Sequence, residues 1–385
     1  MHITKLLAKN AFRHKLRTGL TILGITIAIL AFGLLRTVVN AWYSGAESSS
    51  ASRLVTRNAV SLIFSLPLSY KERIRQVSGV ATVSYADWFG GVYIEEKNFF
   101  PNFAIDTAAY FDLYPEFILP DAQKKAFRAD RKGCVAGRKL AERFGWKIGD
   151  NIVLKGTIFP GKWEFVLRAI YKGERKTTDE TQFFFHWDYL NETLKKTAPL
   201  RADQVGFYLI GVKNPDQAAD VASAVDNLFK NSLAETLTET EKAFQLSFVA
   251  MSDAIIAVIQ IVSFIIIIII MAVMANTMAM TARERMTEYA VMKTLGFGGW
   301  HIAGLIFGES LLIAAIGCAF GIALTFPAAK WFSDTMGTFL PVFIVQKKTL
   351  YLDFAAAIVV GIVAAAFPTW RAVNVRIAEG LRRIG

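Results

Sequence analysis

The densest ionisable pattern in the chain runs through Arg283, Glu284, Arg285, Glu288 and Lys293, and closes at Leu295-Gly296. These charges alternate with Met286, Tyr289, Ala290 and Met292. Wound as a helix, the stretch has a polar side and a side able to enter a groove on another protein. That is recognition chemistry, not bond-making. A plain surface helix between two spans is the other reading, and the charge density with its glycine stop favours docking.

Residue types that could make or break bonds are scattered. Gly161-Lys162 is followed by Trp163, so the phosphate-cradling loop that ends in Gly-Lys-Ser/Thr is missing and the chain is not expected to bind or hydrolyse ATP itself. His2, His14, His186 and His301 lack metal-ligand spacing. No Gly-x-Ser-x-Gly nucleophile elbow occurs. Glu95-Glu96 and Asp179-Glu180 read as solvated surface, and Asn191-Glu-Thr193 is a glycosylation sequon of a kind common by chance. Cys134 and Cys318 fall in different segments and read as two free thiols. The sequence therefore predicts no enzyme, no cofactor and no metal.

Positioning the charged helix falls to apolar segments. Hydrophobic residues make up 54% of the chain, and its mean hydropathy is +0.37. Four runs satisfy the roughly 20 apolar residues needed to cross a bilayer: 18–41, 248–280, 302–327 and 350–368. The second contains six consecutive isoleucines, Ile265 to Ile270, and leads directly into the charged helix. A signal peptide is the rival reading of the first run, but a signal core is shorter, about 7–15 residues. Pro327 and Pro368 are expected to stop the third and fourth spans. The net charge of +11 sits beside the apolar runs, which fits membrane orientation and not a nucleic-acid surface. Residues 1–17, an amphipathic helix with Lys5, Lys9, Arg13, Lys15 and Arg17, then face the cytoplasm with 281–301 and the basic tail 369–385. Residues 328–349 form an outer loop.

Within the spans, Arg36, Asp253 and Asp353 lie near outer ends, where snorkelling to water accounts for them. Asn276 and Glu309 are intramembrane polar groups, and Glu309 is expected to hydrogen-bond a neighbouring helix. Gly304 and Gly308, then Gly317 and Gly321, repeat the small-residue spacing that lets helices approach closely, either within one chain or at a dimer seam.

Residues 42–245 contain no spanning run and read as an extracytoplasmic α+β domain. Expected strands include Val60–Leu66, Val80–Ile94, Asn151–Lys155 and Val205–Val212; a hairpin tip falls at Pro160-Gly161. A second lobe is expected near 99–200. Its aromatics, Phe99, Phe100, Phe103, Tyr110, Phe111, Tyr114, Phe117 and then Phe183 to Tyr189, either fill a core or line a hydrophobic ligand site. With no glycine or proline between Leu233 and Phe248, 233–247 is expected to rise as a stalk continuous with the second span.

At Asn276 to Glu309 the chain resembles the FtsX/MacB-like permeases of ABC transporters, the type VII or mechanotransmission group. Glu284-Arg285-x-x-Glu288-Tyr289-Ala290-Val-Met292-Lys293-Thr-Leu295-Gly296 is similar to that family's Glu-Arg-x-x-Glu-Ile-Gly-x-Leu-Lys-Ala-Leu-Gly, and Glu309 matches the glutamate that follows. Tyr289-Ala290 stands where Ile-Gly is usual. Lys15-Leu-Arg-Thr18, Gly137-x-x-x-Ala141 with Gly149-Asp150, and Pro368-x-x-Arg371-Ala372 with Leu381-Arg382 are similar to other family stretches; Val375-Arg376 replaces a usual proline. The resemblance implies a multi-pass bacterial inner-membrane permease with a MacB-like periplasmic core domain between its first two spans. It implies two permease chains, identical or related, with a cytoplasmic ABC ATPase that holds the ATP and magnesium. Arg283 to Gly296 would dock in the ATPase. A periplasmic adaptor and an outer-membrane channel are implied further partners, beside membrane lipid. Two functions stay open: export or extraction of a hydrophobic or amphipathic substrate (lipoprotein, lipid, peptide or drug), or a signal relay that controls a cell-wall hydrolase or senses a ligand.

Overall fold

The computed structural model describes residues 10–336 and 342–375. The expected amphipathic residues 1–9, part of the 328–349 loop, and most of the basic tail with Arg376, Leu381, Arg382 and Arg383 lie outside them. The chain divides into two compact units: residues 1–40, 253–335 and 343–385 in one, and 41–252 with 336–342 in the other.

In chain order, helix α1 (Lys15–Ser48) is followed by the second unit's elements: β1 (Arg53–Asn58), β2 (Leu66–Pro67), α2 (Tyr70–Arg75), β3 (Val80–Trp88), β4 (Gly91–Tyr93), β5 (Asn102–Ile105), α3 (Tyr110–Leu113), β6 (Phe117–Ile118), α4 (Asp121–Ala129), β7 (Gly133–Gly137), α5 (Arg138–Phe144), β8 (Asn151–Gly156), β9 (Gly161–Gly173), β10 (Phe183–His186), α6 (Trp187–Thr197), β11 (Gln204–Val205), β12 (Phe207–Val212), α7 (Ala218–Leu228), β13 (Thr236–Thr240) and α8 (Glu241–Ala250). The first unit continues with α9 (Asp253–Glu284), α10 (Met286–Thr294), α11 (Gly299–Met336) and α12 (Lys347–Val373).

One sheet in the order β13-β1-β12-β3-β5-β10-β7-β9-β8-β4 organises the second unit, with β6 paired to β9 and a small β2–β11 pair apart. β10 lies parallel to β5 and antiparallel to β7. All four of its residues are buried, as a central strand covered on both faces demands. Alternation sends Phe183 and Phe185 into one core and Phe184 into the other. Burying each ring contributes roughly 1.5–3 kcal/mol. Phe165 packs on Phe185 at 4.6 Å and Phe89 on Phe185 at 5.0 Å. The aromatic clusters thus fill the two cores, although Phe99 stays 37% exposed. Residues 99–200, expected as a separate lobe, supply β5 to β10 and extend this same sheet.

Other sequence expectations change here. Val60–Leu66 is not a strand: 59–65 is a loop with Val60, Ile63 and Phe64 exposed, and the pairing strand is the preceding Arg53–Asn58. The expected stalk is not one helix. Thr236, Thr238 and Thr240 alternate with Leu237 and Glu239, and this β-branched segment pairs with β1. Helix α8 starts only at Glu241, capped by the Thr240 hydroxyl, and the chain turns again at Met251-Ser252 before α9.

Asp87 in β3 is buried, and burial lifts its carboxyl to about 7 although Arg201 opposes the shift. The folded state therefore holds this proton more tightly than the unfolded chain. Stability falls as pH rises from about 4 to about 7, because there the native state binds more protons. Asp87→Asn is expected to raise stability by about 2 kcal/mol at pH 8, less than the full shift because the amide is polar too, and to match wild type near pH 4. Thermal melts of the full chain at both pH values check this.

Four helices of the first unit, α1, α9, α11 and α12, are long and apolar enough to cross a membrane. α11 runs through Pro327 and α12 through Pro368, so neither proline ends its helix. A proline inside a membrane helix frees one carbonyl, which neighbouring groups can satisfy. A side chain begun at Gly317 or Gly321 would meet Ile25 or Ile29 of α1 at 2.7 and 2.8 Å. These two glycines therefore serve close packing of α11 on α1 within one chain. The Ser310 hydroxyl joins α11 to α12 by donating to Gly361 O at 2.6 Å.

Candidate functional site

The charged segment is the end of α9, a break at Arg285, and the separate nine-residue helix α10. Arg285 is buried and donates from Nε to Glu288 at 3.0 Å and from Nη1 to Glu309 of α11 at 3.1 Å. Burial works against its charge, but Tyr289, Glu288 and Glu309 together hold its pKa above the ordinary arginine value. Burial likewise pushes the Tyr289 hydroxyl up to about 12. Tyr289 and Ala290 form the inward face of α10. The expected hydrogen bond of Glu309 is thus an ion pair to the charged segment itself.

The acidic groups are engaged by the chain just before and within α1. Arg17 grips Glu284 with two bonds, at 2.9 and 2.8 Å, and His14 approaches it at 3.4 Å. Arg13 pairs with Glu288. Burial opposes the Glu288 charge, yet Arg13 and Arg285 outweigh it and hold the carboxyl below its usual range. Lys293 donates to Val373 O, the last carbonyl of α12, at 2.6 Å and to Val375 O just beyond it at 2.8 Å. Gly296, at φ +91°, ends α10, and Phe297 N closes the turn on Met292 O at 3.0 Å.

The outward residues are different ones. Arg283, Val291, Leu295 (71%), Phe297 (43%) and Trp300 (76%) are exposed, while Met292 is half-buried. The sequence reading included Arg283, Met292 and Leu295 and missed Val291, Phe297 and Trp300. Their signal was available: three apolar side chains beside a glycine turn in a segment too charged for hydrocarbon. Asn276 is exposed on α9, and nothing lies within 4 Å of a side chain begun at Gly304. Gly308 is half-buried. Among the described residues no three His, Cys, Asp or Glu side chains gather to hold a metal ion. Each of the three acidic groups is paired within the chain, and Val291, Leu295, Phe297 and Trp300 leave an apolar patch exposed beside them.

Residues 18–228, more than half of the chain, match the family described as MacB-like periplasmic core domain, and residues 260–377 match FtsX-like permease C-terminal. Solved structures similar to the chain include the extracellular domain of the noncanonic ABC-type transporter YknZ from Gram-positive bacteria (11% identity, 49% of this chain and 100% of that one, TM-score 0.37). Another is the periplasmic region of MacB from Actinobacillus actinomycetemcomitans (9% identity, 52% and 94%, TM-score 0.39). A third is a domain of a putative permease protein from Porphyromonas gingivalis (10% identity, 50% and 91%, TM-score 0.33). No curated protein sequence matches the chain.

Proposed function

The chain belongs to the FtsX/MacB-like family of ABC-transporter permeases, and we propose that it couples ATP hydrolysis by a separate cytoplasmic ATPase to motion of an extracytoplasmic domain, residues 41–252. ATP and magnesium sit on the ATPase. The work done is export or extraction of a hydrophobic or amphipathic substrate at the bacterial inner membrane. The observation that carries this reading is the exposed apolar surface of Val291, Leu295, Phe297 and Trp300, which spans the end of α10, the turn after it and the start of α11, beside the buried Arg285 and Tyr289 that pin α10 to α11. An apolar centre with a charged rim is what a protein groove recognises.

A second permease chain completes the assembly in this reading. Asn276 supports it: an exposed amide on an apolar span gains a hydrogen-bond partner when a second helix covers it.

Purification of the full chain with its ATPase tests the docking surface. Leu295→Asp and Phe297→Asp are each expected to weaken the association at least tenfold, about 1.4 kcal/mol or more. Melting of the permease should stay unchanged because both side chains are exposed. Wild-type recovery of the ATPase with both variants would sink the docking reading. A cell-wall hydrolase that co-elutes in place of a transported substrate would favour relay over transport.

A further inference from the structure

Asp353 does not snorkel. It is 0% exposed, and neither carboxyl oxygen has a hydrogen-bond partner. It lies six residues into α12, roughly 9 Å along the helix axis from its first residue. Opposite it, α1 presents Gly33: a side chain begun there would stand 3.1 Å from Asp353 Oδ2 and 3.3 Å from Thr325 Oγ1 of α11. The carboxyl and the hydroxyl thus converge on a position of α1 that has no side chain.

Neither carboxyl oxygen finds a donor among the groups around it. Thr325 is fully buried, and its hydroxyl proton is committed to Gly321 O at 2.8 Å. One turn along α1, the Thr37 hydroxyl is committed to Gly33 O at 2.7 Å. One turn back along α12, Thr349 accepts from Asn40 at 3.0 Å, which pins the two helices together. Cys318 of α11 is the other titratable group here, and its thiol points to Asp353 O at 3.8 Å. Arg36 of α1 lies over the Phe32 ring. Lys347 and Lys348 at the start of α12 are exposed, as is Asp253 at the start of α9, and α9 has no other ionisable residue before Arg283. No basic side chain among the described residues pairs with Asp353.

An ionised carboxylate in that setting has neither a counter-charge nor a donor, and intramembrane ionisable groups of this kind mark functional sites. We propose that Asp353 is an intramembrane proton-binding site. The carboxyl carries a proton while α1, α11 and α12 are packed, and releases it to water only when the helices separate. The proton lets the carboxyl remain buried without the donor that neither of its oxygens has. Because the ionised form is admitted only to the loosened state, packing of the three helices weakens as pH rises. The proposal is independent of the ATPase reading.

The test uses the full chain in lipid nanodiscs, in an Asp87→Asn background so that the buried carboxyl of the outer domain does not contribute. Infrared spectra with carbon-13-labelled aspartate are expected to show one neutral-acid carbonyl band at pH 7. The band should be lost in Asp353→Asn, reappear in Asp353→Glu when glutamate is labelled instead, and be equal in sodium and choline chloride. Melting of the parent chain is expected to fall between pH 7 and pH 9, and that fall should vanish in Asp353→Asn. If the asparagine variant does not fold, titration of the labelled band in the parent decides. A carboxylate-only spectrum at pH 7 in both salts overturns the proposal. A neutral band in choline that disappears in sodium replaces the proton with a sodium ion and overturns it equally.

Discussion

Arg285→Met is expected to destabilise the chain by roughly 3–5 kcal/mol, because it leaves a buried carboxylate without its partner. Arg285 and Glu309 are 8% and 4% exposed, so little solvent can take over when the guanidinium goes. The substitution removes the bond to Glu309 at 3.1 Å and the bond to Glu288 at 3.0 Å together. Glu288 keeps Arg13 and is 44% exposed, so it contributes little to the loss. Glu309 keeps nothing of the kind among the ion pairs of the described residues. The double variant Arg285→Met/Glu309→Leu should recover most of the loss, since an apolar pair can replace a buried ion pair at little cost. Exposed Arg283→Ala should stay within about 0.5 kcal/mol of wild type. Unfolding of Arg285→Met, Glu309→Leu and the double variant in nanodiscs closes the cycle and gives the coupling, with Arg283→Ala as the control. A loss in Arg285→Met that Glu309→Leu does not relieve would place its cause in the broken helix junction and not in the ion pair.

The spans were legible because length and hydropathy report the bilayer requirement directly. Their ends were less so, because Pro327 and Pro368 read as stops where helix context carries the chain through. In the second unit, Arg53 and Arg57 hid a strand that the apolar loop at Val60–Leu66 imitated. The charged segment was found from its pattern, yet its partners were not. Arg13 and Arg17 meet Glu288 and Glu284 across 275 and 267 residues of chain. No local periodicity encodes such pairs. That is why most of the charges that look free in sequence are held within the chain, while apolar residues beside them are exposed. Asp353 fails for a related reason: position along a span says nothing about which way a side chain faces.

Arg53→Met should cost the second unit a comparable amount, roughly 3–5 kcal/mol. Arg53 is 4% exposed and uses its whole guanidinium. Nε donates to Glu241 at 2.8 Å, Nη1 to Leu113 O at 2.7 Å, and Nη2 to Glu116 at 2.5 Å, and the plane lies 4.1 Å over the Tyr114 ring. Burial opposes this charge, and the two carboxylates nevertheless hold it firmly protonated. Glu241 also accepts from Ser50 N at 2.9 Å. One side chain therefore ties together the segment that leaves α1, the end of α3, and the first turn of α8, which leads into α9. Nearby Arg57, paired with Glu239 nearer the surface, should cost at most about 1 kcal/mol when cut to alanine. The informative variant is Arg53→Met/Glu241→Met. It removes both members of the buried pair and should restore most of the stability. If it also retains full ATP-dependent activity with the partner ATPase, the cluster serves folding alone. If stability returns and activity does not, the charges themselves carry displacement between the chain leaving α1 and the chain entering α9.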